Sequence, residues 1–198
     1  MDELKRSVDY SRKRLQAIRN CESKVSDILW KSTQKIITAS KRYRGAGRLT
    51  NESALLSYAK NVTAEADESI NSYISAYSKA SCKILGIDSE NIESFLVSDI
   101  YGKTTSERNA VYLGNFAEDI VRMIKAGTLM GYSDQQLLSS IRTGYKDPYH
   151  TSVITKAKRK DINIDVPSYG KGYYKNAYQN IVRNASQVIA LAWGQAEQ

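Results

Sequence analysis

The sequence predicts an all-α protein with a long N-terminal αα-hairpin, followed by a smaller helical domain that contains one loop-rich insertion. Only two prolines occur among its 198 residues, Pro148 and Pro167, so the strongest helix breaker is missing from most of the chain. Apolar residues recur at helical spacing over long stretches, and glycines stand where these stretches stop. We therefore expect a helical hairpin over residues 1–86 and a helical domain over residues 87–198.

The first helix is predicted to run from Asp2 to Arg44 and to end at the glycines within residues 45–47. Its seam alternates steps of four and three residues, which is the spacing of a heptad repeat. The seam consists of Leu4, Val8, Ser11, Leu15, Ile18, Glu22, Val25, Leu29, Ser32, Ile36, Ala39 and Tyr43. A single amphipathic helix of this length offers a long face to a second helix.

A second helix is predicted from Asn51 to Leu85. Thr50 is expected to be its N-cap and Gly86 its stop, because a threonine side chain satisfies free N–H groups and glycine adopts the left-handed conformation that closes a helix. The apolar stripe of this helix consists of Leu55, Ala59, Val62, Ala66, Ile70, Tyr73, Tyr77 and Ile84. The two long helices together predict the αα-hairpin.

Shorter helices are predicted in the second half of the chain. A helix capped by Asp88 or Ser89 comes first, and a helix from Thr105 to Ala126 follows, with Gly127 as its end. A turn joins these two helices.

The region after residue 127 contains a short helix, a loop-rich insertion and a final helix. Ser133 and Gln136 form a capping-box pattern at the start of the short helix, and Gly144 closes it. The helical period fails between Tyr145 and Gly172, which predicts the insertion. The final helix has an apolar stripe at Tyr174, Tyr178, Ile181, Ala185, Val188, Ala192 and Ala196.

Charge is distributed unevenly along the chain, whose net charge is +8. Residues 1–50 hold 13 Lys and Arg against 5 Asp and Glu, whereas residues 51–100 hold 3 against 8. The two long helices could neutralise each other as an antiparallel pair, or the basic helix could face a polyanion such as DNA. The candidate nucleic-acid contacts are Arg12, Lys13, Arg14, Lys41, Arg42, Arg44, Arg48, Lys156, Lys158, Arg159 and Lys160.

The residues favour no enzyme class. His150 is the only histidine, and no serine or cysteine has the local context of a nucleophile that would pair with it. Glu118 and Asp119 are neighbours on a predicted helix and point about 100° apart, which is poor geometry for an acid/base pair. Cys21 and Cys82 have no metal-ligand spacing and are expected to stay reduced. We expect no catalytic residue, no cofactor and no bound metal.

Composition bounds the class of protein further. Hydrophobic residues make up 41% of the sequence, which is enough for a core. No apolar run approaches the roughly 20 residues that a membrane span needs, and no charged leader precedes an apolar segment near Met1. We expect a folded protein that is made and kept in the cytoplasm and that has no membrane span.

Two segments of the second half carry an ordered set of motifs. The first reads "YGKTTSERNAVYLGNFAEDIVRMIKAGTLMGYSDQQLLSSIR" and the second "YKNAYQNIVRNASQVIALAW". Together they resemble the phage minor head protein (head-morphogenesis) family over about residues 101–193. The matching positions are Ser106–Arg108, Gly127, Gly131–Ser133, Arg142 and Ile181–Asn184. The chain departs from the family at Ala185, where the family usually has glutamate.

The resemblance implies a structural protein of the virion, without catalysis, that acts in head assembly at or near the portal. Portal and capsid proteins would be its partners within a larger assembly, and packaged double-stranded DNA would be a further contact. It would be located in the virion, and in the host cytoplasm during assembly. The alternatives are a helical nucleic-acid-binding protein of a phage or mobile element, and another head-to-tail connector component.

Four residues of the resemblance are candidate partner contacts or motif residues: Arg108, Arg142, Arg183 and Asn184. The last two lie beside the apolar stripe of the final helix, which we expect to pack on the helix segment Leu113–Ile124. Arg183 is then either an exposed contact to the portal or a buried arginine that Glu118 or Asp119 neutralises. We favour the buried role, because a long buried charge needs a partner.

Overall fold

The computed structural model describes residues 2–86, 102–146, 153–162 and 176–195. Helical conformation accounts for 87% of this part of the chain, so the all-α fold class is confirmed. The α-helices described are α1 (Asp2–Ser40), α2 (Glu52–Leu85), α3 (Thr105–Leu129), α4 (Asp134–Lys146), α5 (Val153–Lys158) and α6 (Ala177–Gln195). None of these helices combines the length and the apolar character that crossing a bilayer requires.

α1 and α2 form the long N-terminal hairpin. A 3-10 turn, Lys41–Tyr43, follows α1, and two short antiparallel strands, β1 (Arg44–Gly45) and β2 (Arg48–Leu49), lead into α2. Ala46 and Gly47 reverse the chain between the strands with φ angles of 50° and 73°, the left-handed geometry of a two-residue hairpin turn.

The structure differs from the sequence prediction at both ends of the connection between α1 and α2. The end of the first helix at Arg44 was wrong, because the last turn tightens into a 3-10 turn and Arg44 is extended. Asn51, not Thr50, is the N-cap of α2, since its side-chain oxygen accepts the Ala54 N–H at 3.0 Å. Thr50 instead donates its N–H and its hydroxyl to the carbonyl of Tyr43, at 2.7 and 2.8 Å, which closes the turn.

Gly86 ends α2 as predicted, with a φ of 71° and an N–H that donates to the carbonyl of Cys82. The helix predicted from Asp88 or Ser89 lies outside the described residues.

α3 begins with a capping box, in which the Thr104 hydroxyl accepts the Glu107 N–H at 3.1 Å and the Glu107 carboxylate accepts the Thr104 N–H at 2.7 Å. The hydrogen bonds from Thr104 hold the pKa of Glu107 below its usual value. The prediction that Gly127 ends this helix was wrong, because α3 continues to Leu129. A Cβ atom at Gly127 would lie 2.3 Å from Cδ2 of Leu137 on α4, so this glycine permits close packing of two helices.

The capping box of α4 is confirmed. Ser133 donates its N–H to the Gln136 side-chain oxygen at 2.9 Å, and Gln136 returns its N–H to the Ser133 hydroxyl at 3.3 Å. α4 extends past Gly144 to Lys146, so the predicted closure at Gly144 was also early. Within the insertion predicted to be loop-rich, α5 forms a short helix.

α6 has the predicted apolar stripe wherever it is described. Ile181, Ala185, Val188 and Ala192 are buried, and α6 packs against α3 as expected and also against α1 and α2. Tyr174 and Ala196, which were assigned to the same stripe, lie outside the described residues.

One apolar core joins the helices of the described chain. It includes Leu29 of α1, Leu55 of α2, Phe116 of α3, Ile141 of α4 and Ile189 of α6. The core therefore draws on both the hairpin and the helices that follow it. The division of the chain into residues 1–86 and 87–198 stays a prediction.

The heptad seam of α1 is buried along only part of its length. Seam residues Val25, Leu29 and Ile36 are fully buried, whereas Leu4, Val8 and Leu15 are 71%, 54% and 56% exposed. The seam therefore packs against the rest of the described chain along only part of its length.

The exposed part of the seam lies near the N-terminal end of α1. Tyr10 contacts Trp193 near the end of α6, with ring centroids 5.4 Å apart. Leu4, Val8 and Leu15 all lie within residues 2–15 of α1, and we call this segment the overhang.

Candidate nucleic-acid interface

An open groove of about 720 Å³ lies at the hairpin turn, between the last turns of α1, the 3-10 turn and the first turns of α2. We call it the basic groove. Its charged and aromatic lining residues are Lys31, Lys35, Lys41, Arg42, Tyr43 and Tyr58. Four cations and two tyrosines around one open groove are the residue types that contact phosphates in nucleic-acid-binding proteins.

Local structure positions these side chains. Lys31 and Lys35 are four residues apart on α1 and therefore lie on one face of the helix. The 3-10 turn brings Arg42 and Tyr43 round to the same side, and the two hydrogen bonds from Thr50 to the Tyr43 carbonyl fix this turn against the start of α2.

The cations of the basic groove are only weakly neutralised. Lys35 pairs with Glu65 at 3.3 Å and Lys41 with Asp134 at 3.0 Å, and both lysine side chains remain more than half exposed. Exposed pairs of this kind contribute about 0–1 kcal/mol, so a phosphate can take the place of the carboxylate at little cost. Within the described part of the chain, Lys31 and Arg42 have no ion pair.

Arg44, one of the predicted nucleic-acid contacts, has a structural role. Its side chain is only 15% exposed and binds the Asp134 carboxylate, with a further hydrogen bond to the carbonyl of Ile37. Burial raises the pKa of Asp134, but the hydrogen bonds and charges of Arg44 and Lys41 outweigh it, so the pKa lies below its usual value. Arg44 therefore ties α4 to the hairpin turn and lies outside the exposed surface of the basic groove.

Arg48 is exposed at the tip of the hairpin turn, where it pairs in register with Gly45. It extends the positive surface beyond the basic groove. Lys41, Arg42 and Arg48 are thus the predicted contacts that the structure gathers at this end of the molecule.

The other predicted basic residues lie elsewhere. Arg12 and Lys13 are exposed on the overhang, about 40 Å from Lys41 along α1, and Arg14 is half-buried beside the end of α6. Lys13 pairs with Asp9 at 2.9 Å. The charges on α1 therefore form two separate surfaces.

The basic residues of the insertion lie on α5 and the turn after it, where α5 packs on α3 and α4. Lys158, Arg159 and Lys160 are exposed and Lys156 is half-buried. They form a third positively charged surface.

Two residues of the family resemblance, Arg108 and Asn184, meet in a hydrogen-bond network between α2, α3 and α6. Arg108 Nε donates to Asn184 Oδ1 at 3.0 Å, although the residues are 76 positions apart. The Asn184 amide donates to Asn109 Oδ1 at 2.7 Å and to the Thr105 carbonyl at 3.1 Å. The Asn109 amide donates in turn to Asn71 Oδ1 on α2 at 3.2 Å. A buried network with its donors paired fixes the register of three helices.

Arg183 does not have the buried role that we favoured. Its side chain is exposed, and the carboxylates of both expected partners also lie within ion-pair distance of other cations. Asp119 pairs with Arg122 at 3.5 Å, and Glu118 pairs with Arg122 and Lys60 at 3.6 and 3.5 Å. The buried polar residue of the motif is the neighbouring Asn184.

Arg142 is exposed on α4 and lies over the ring of Trp30 on α1, with 5.4 Å from its Cζ to the ring centroid. Trp30 also stacks on Tyr178 of α6, with centroids 4.8 Å apart. Arg142 therefore helps to join α4 to α1, through a cation–π contact of about 0.5–1 kcal/mol at an exposed site.

Sequence reasoning missed four residues of the basic groove: Lys31, Lys35, Tyr43 and Tyr58. The spacing of Lys31 and Lys35 on one predicted helical face was a usable signal. Tyr58 had no such signal, because only the packing of α2 against α1 brings it to the hairpin turn.

Chemistry beyond charge is limited in the described residues. They contain no group of three or more His, Cys, Asp or Glu that could hold a metal ion. Cys21 and Cys82 are free and buried, and burial, with a smaller effect of Glu22, raises the pKa of Cys21 to about 12. His150 lies outside the described residues. No family model, curated protein or solved structure matches this chain.

Proposed function

We propose that this chain is a structural protein of a phage head, acting in assembly at or near the portal, and that its basic groove contacts packaged DNA. The observation that supports the first part is the network around Asn184. The two segments that resemble the minor head protein family are far apart in sequence, and they meet through Arg108 and Asn184. The proposal assigns no catalytic step to the chain.

The basic groove supports the second part. Lysine and arginine side chains bind phosphates without reading base sequence, and tyrosine hydroxyls donate hydrogen bonds to phosphate oxygens. Lys31 and Arg42 supply cations without a carboxylate in the described chain, and Lys35 and Lys41 supply cations from solvated pairs. The expected binding is independent of DNA sequence and sensitive to salt.

Duplex DNA binding tests the groove directly. We expect the affinity of the purified chain to fall with salt at a slope of about −0.9 per phosphate neutralised in a log–log plot. The double variant Lys31→Gln/Arg42→Gln should reduce that slope by about two, because two phosphate contacts are lost. Lys79→Gln/Lys83→Gln, which removes the same charge from the exposed far end of α2, is the matched control.

Comparison of the two double variants distinguishes DNA binding at the basic groove from a general effect of net charge. Equal loss of affinity in both double variants would show that total charge alone drives binding, and affinity that does not change with salt would rule out phosphate contacts. Either result removes the groove from the proposal.

The head-assembly part has its own test. The chain should co-migrate in size-exclusion chromatography with a portal ring produced in the same cells from the same phage genome. Migration of the chain as a free species beside an intact portal ring would contradict it, whatever the outcome with DNA.

A second candidate function is a free-standing helical nucleic-acid-binding protein of a phage or mobile element. One observation favours it: the basic groove is formed by residues 31–58, outside the segment that resembles the head protein family. Strong salt-sensitive DNA binding together with no association with the portal would select this function. Another head-to-tail connector component would instead associate with the connector at a different position.

A further inference from the structure

The overhang presents an apolar stripe that no other described part of the chain covers. Leu4, Val8 and Leu15 are 71%, 54% and 56% exposed. At about 100° per residue these three side chains lie within about 40° of one another around the helix axis. The face of α1 that contacts α6 is a different one, because it contains Tyr10 and Arg14.

A column of positive charge runs beside this stripe. Lys5, Arg12 and Arg19 repeat every seven residues, and all three are exposed. Lys5 and Arg12 line a shallow groove of about 270 Å³ together with Leu4 and Val8, so the apolar stripe and the cations belong to one surface.

The acidic residue of that groove does not cancel the column. Asp9 also lines the groove, but its carboxylate binds Lys13 at 2.9 Å, one turn further along the overhang. The surface therefore offers an apolar seam with positive charge along one flank.

We propose that the overhang docks an amphipathic helix of a partner protein whose apolar seam is flanked by glutamate or aspartate. Apolar residues at steps of four and seven match the seam of a helix pair, and charges beside such a seam select the partner. The basic column selects an acidic helix. This surface is separate from the basic groove, so the inference does not depend on DNA binding.

Two other occupants fit the surface less well. A second copy in antiparallel orientation would bring the Lys5, Arg12 and Arg19 columns of both chains together, and like charges across a seam repel. A bilayer surface is bound by helices with large apolar side chains such as Trp, Phe and several Leu. The overhang exposes only three aliphatic side chains and also carries Asp9.

A synthetic peptide serves as the probe: a four-heptad helix with leucine at the seam positions and glutamate on both flanks. Its binding to the full chain is measured by fluorescence anisotropy. Val8→Asp should weaken binding about tenfold or more, because it puts a carboxylate into the apolar seam in place of a buried valine. Val111→Asp, at a valine 43% exposed on α3, is the matched control and should change binding less than twofold.

Charge is tested with a second peptide and a second variant. A peptide with glutamine in place of glutamate should bind more weakly than the acidic peptide. The variant Lys5→Glu/Arg12→Glu should no longer bind the acidic peptide and should bind a peptide that has lysine on its flanks. Melting temperatures of all variants should stay at the wild-type value, because these side chains are exposed.

Several results would overturn the inference. These are equal binding of the glutamine and glutamate peptides, no binding of the acidic peptide, and an unchanged affinity after Val8→Asp. If sedimentation showed that the chain self-associates and that Val8 is required, the occupant of the overhang would be a second copy and not a partner helix. If the chain bound phosphatidylserine vesicles through Val8 and did not bind the peptide, the occupant of the overhang would be a membrane surface.

Discussion

The heptad seam of α1 runs from residue 4 to residue 43, yet its two halves have different surroundings. From Val25 to Ile36 the seam lies in the core, packed by α2 and α6, and its apolar residues are fully buried there. Before that point the same spacing continues on the overhang, where Leu4, Val8 and Leu15 are exposed. Apolar spacing therefore identifies a face of a helix, and the packing of the neighbouring helices decides which part of that face is covered.

The two ends of α1 also differ in how charge is arranged. At the hairpin turn, Arg44 and Lys41 bind one carboxylate on another helix, Asp134. On the overhang, the ion pair described is the local one between Asp9 and Lys13. The hairpin end uses charge to fix tertiary structure, and the overhang leaves most of its charge facing solvent.

The largest expected effect tests the two halves of the seam against each other. Leu29→Ala should lower the free energy of unfolding by about 2–5 kcal/mol, because it leaves a cavity in the core. Leu15→Ala makes the same chemical change on the overhang and should stay within about 0.5 kcal/mol of wild type. Urea unfolding followed by circular dichroism measures both. Similar losses for the two variants would mean that the overhang is packed as the core is.

A second prediction applies the same comparison to two glycines of α3. Gly127→Ala should destabilise the protein by about 1–3 kcal/mol, because the new methyl group would overlap Leu137, which is itself fully buried and held in the core. A Cβ atom at Gly114, in the same helix, would have no atom within 4 Å. Gly114→Ala should therefore stabilise the helix, by about 0.5–1 kcal/mol.

The melting temperatures of these two variants should move in opposite directions. A stabilised Gly127→Ala would show that α4 can shift away without loss. Gly127 would then be a tolerated glycine instead of a requirement for helix contact.

A third prediction separates the two neighbouring motif residues on α6. Asn184→Ala should cost about 1–3 kcal/mol, because it removes the hydrogen bonds that the buried Asn184 amide donates to Asn109 and to the Thr105 carbonyl. Arg183→Ala, at an exposed side chain, should change stability by less than about 0.5 kcal/mol. Urea unfolding curves of the two variants measure the difference. A larger loss of unfolding free energy for Arg183→Ala than for Asn184→Ala would show that the arginine has a structural role.

The sequence was sufficient for much of the fold because local signals agree with tertiary packing. The hairpin, the stop at Gly86 and the capping box of Ser133 and Gln136 all depend on a few neighbouring residues. The prediction for Gly127 was wrong because glycine ends some helices and, in others, permits close contact with a neighbouring helix. Only the position of Leu137 decides between the two.

The candidate site was harder to predict because charge patterns carry no information about burial. Arg44 resembles its basic neighbours in sequence, but Asp134 of α4 takes it out of the exposed surface. Arg183 and Asn184 are adjacent and point about 100° apart, so the orientation of α6 about its own axis determines which one is buried. Asn184 follows Ile181 by three residues and precedes Val188 by four, a position on the buried stripe that could have been recognised.

The smallest expected effect concerns charge at the two ends of α1. Asp134→Asn removes the carboxylate that binds Arg44 and Lys41, while Asp9→Asn removes the exposed pair with Lys13. Asp134 is partly exposed, so we expect a loss of at most about 1 kcal/mol at neutral pH. For Asp9→Asn we expect no more than about 0.5 kcal/mol.

The pH dependence of the first loss follows from the pKa of Asp134. Because folding lowers this pKa, the folded state stabilises the ionised carboxylate. The contribution is present above the ordinary aspartate pKa of about 4 and disappears as pH falls through the lower pKa of the folded protein. Urea unfolding of wild type and Asp134→Asn should therefore differ at neutral pH and converge in acid. A difference that grows as the solution is acidified would contradict the ion pairs at the hairpin turn, and an equal loss for Asp9→Asn would remove the contrast between the two ends of α1.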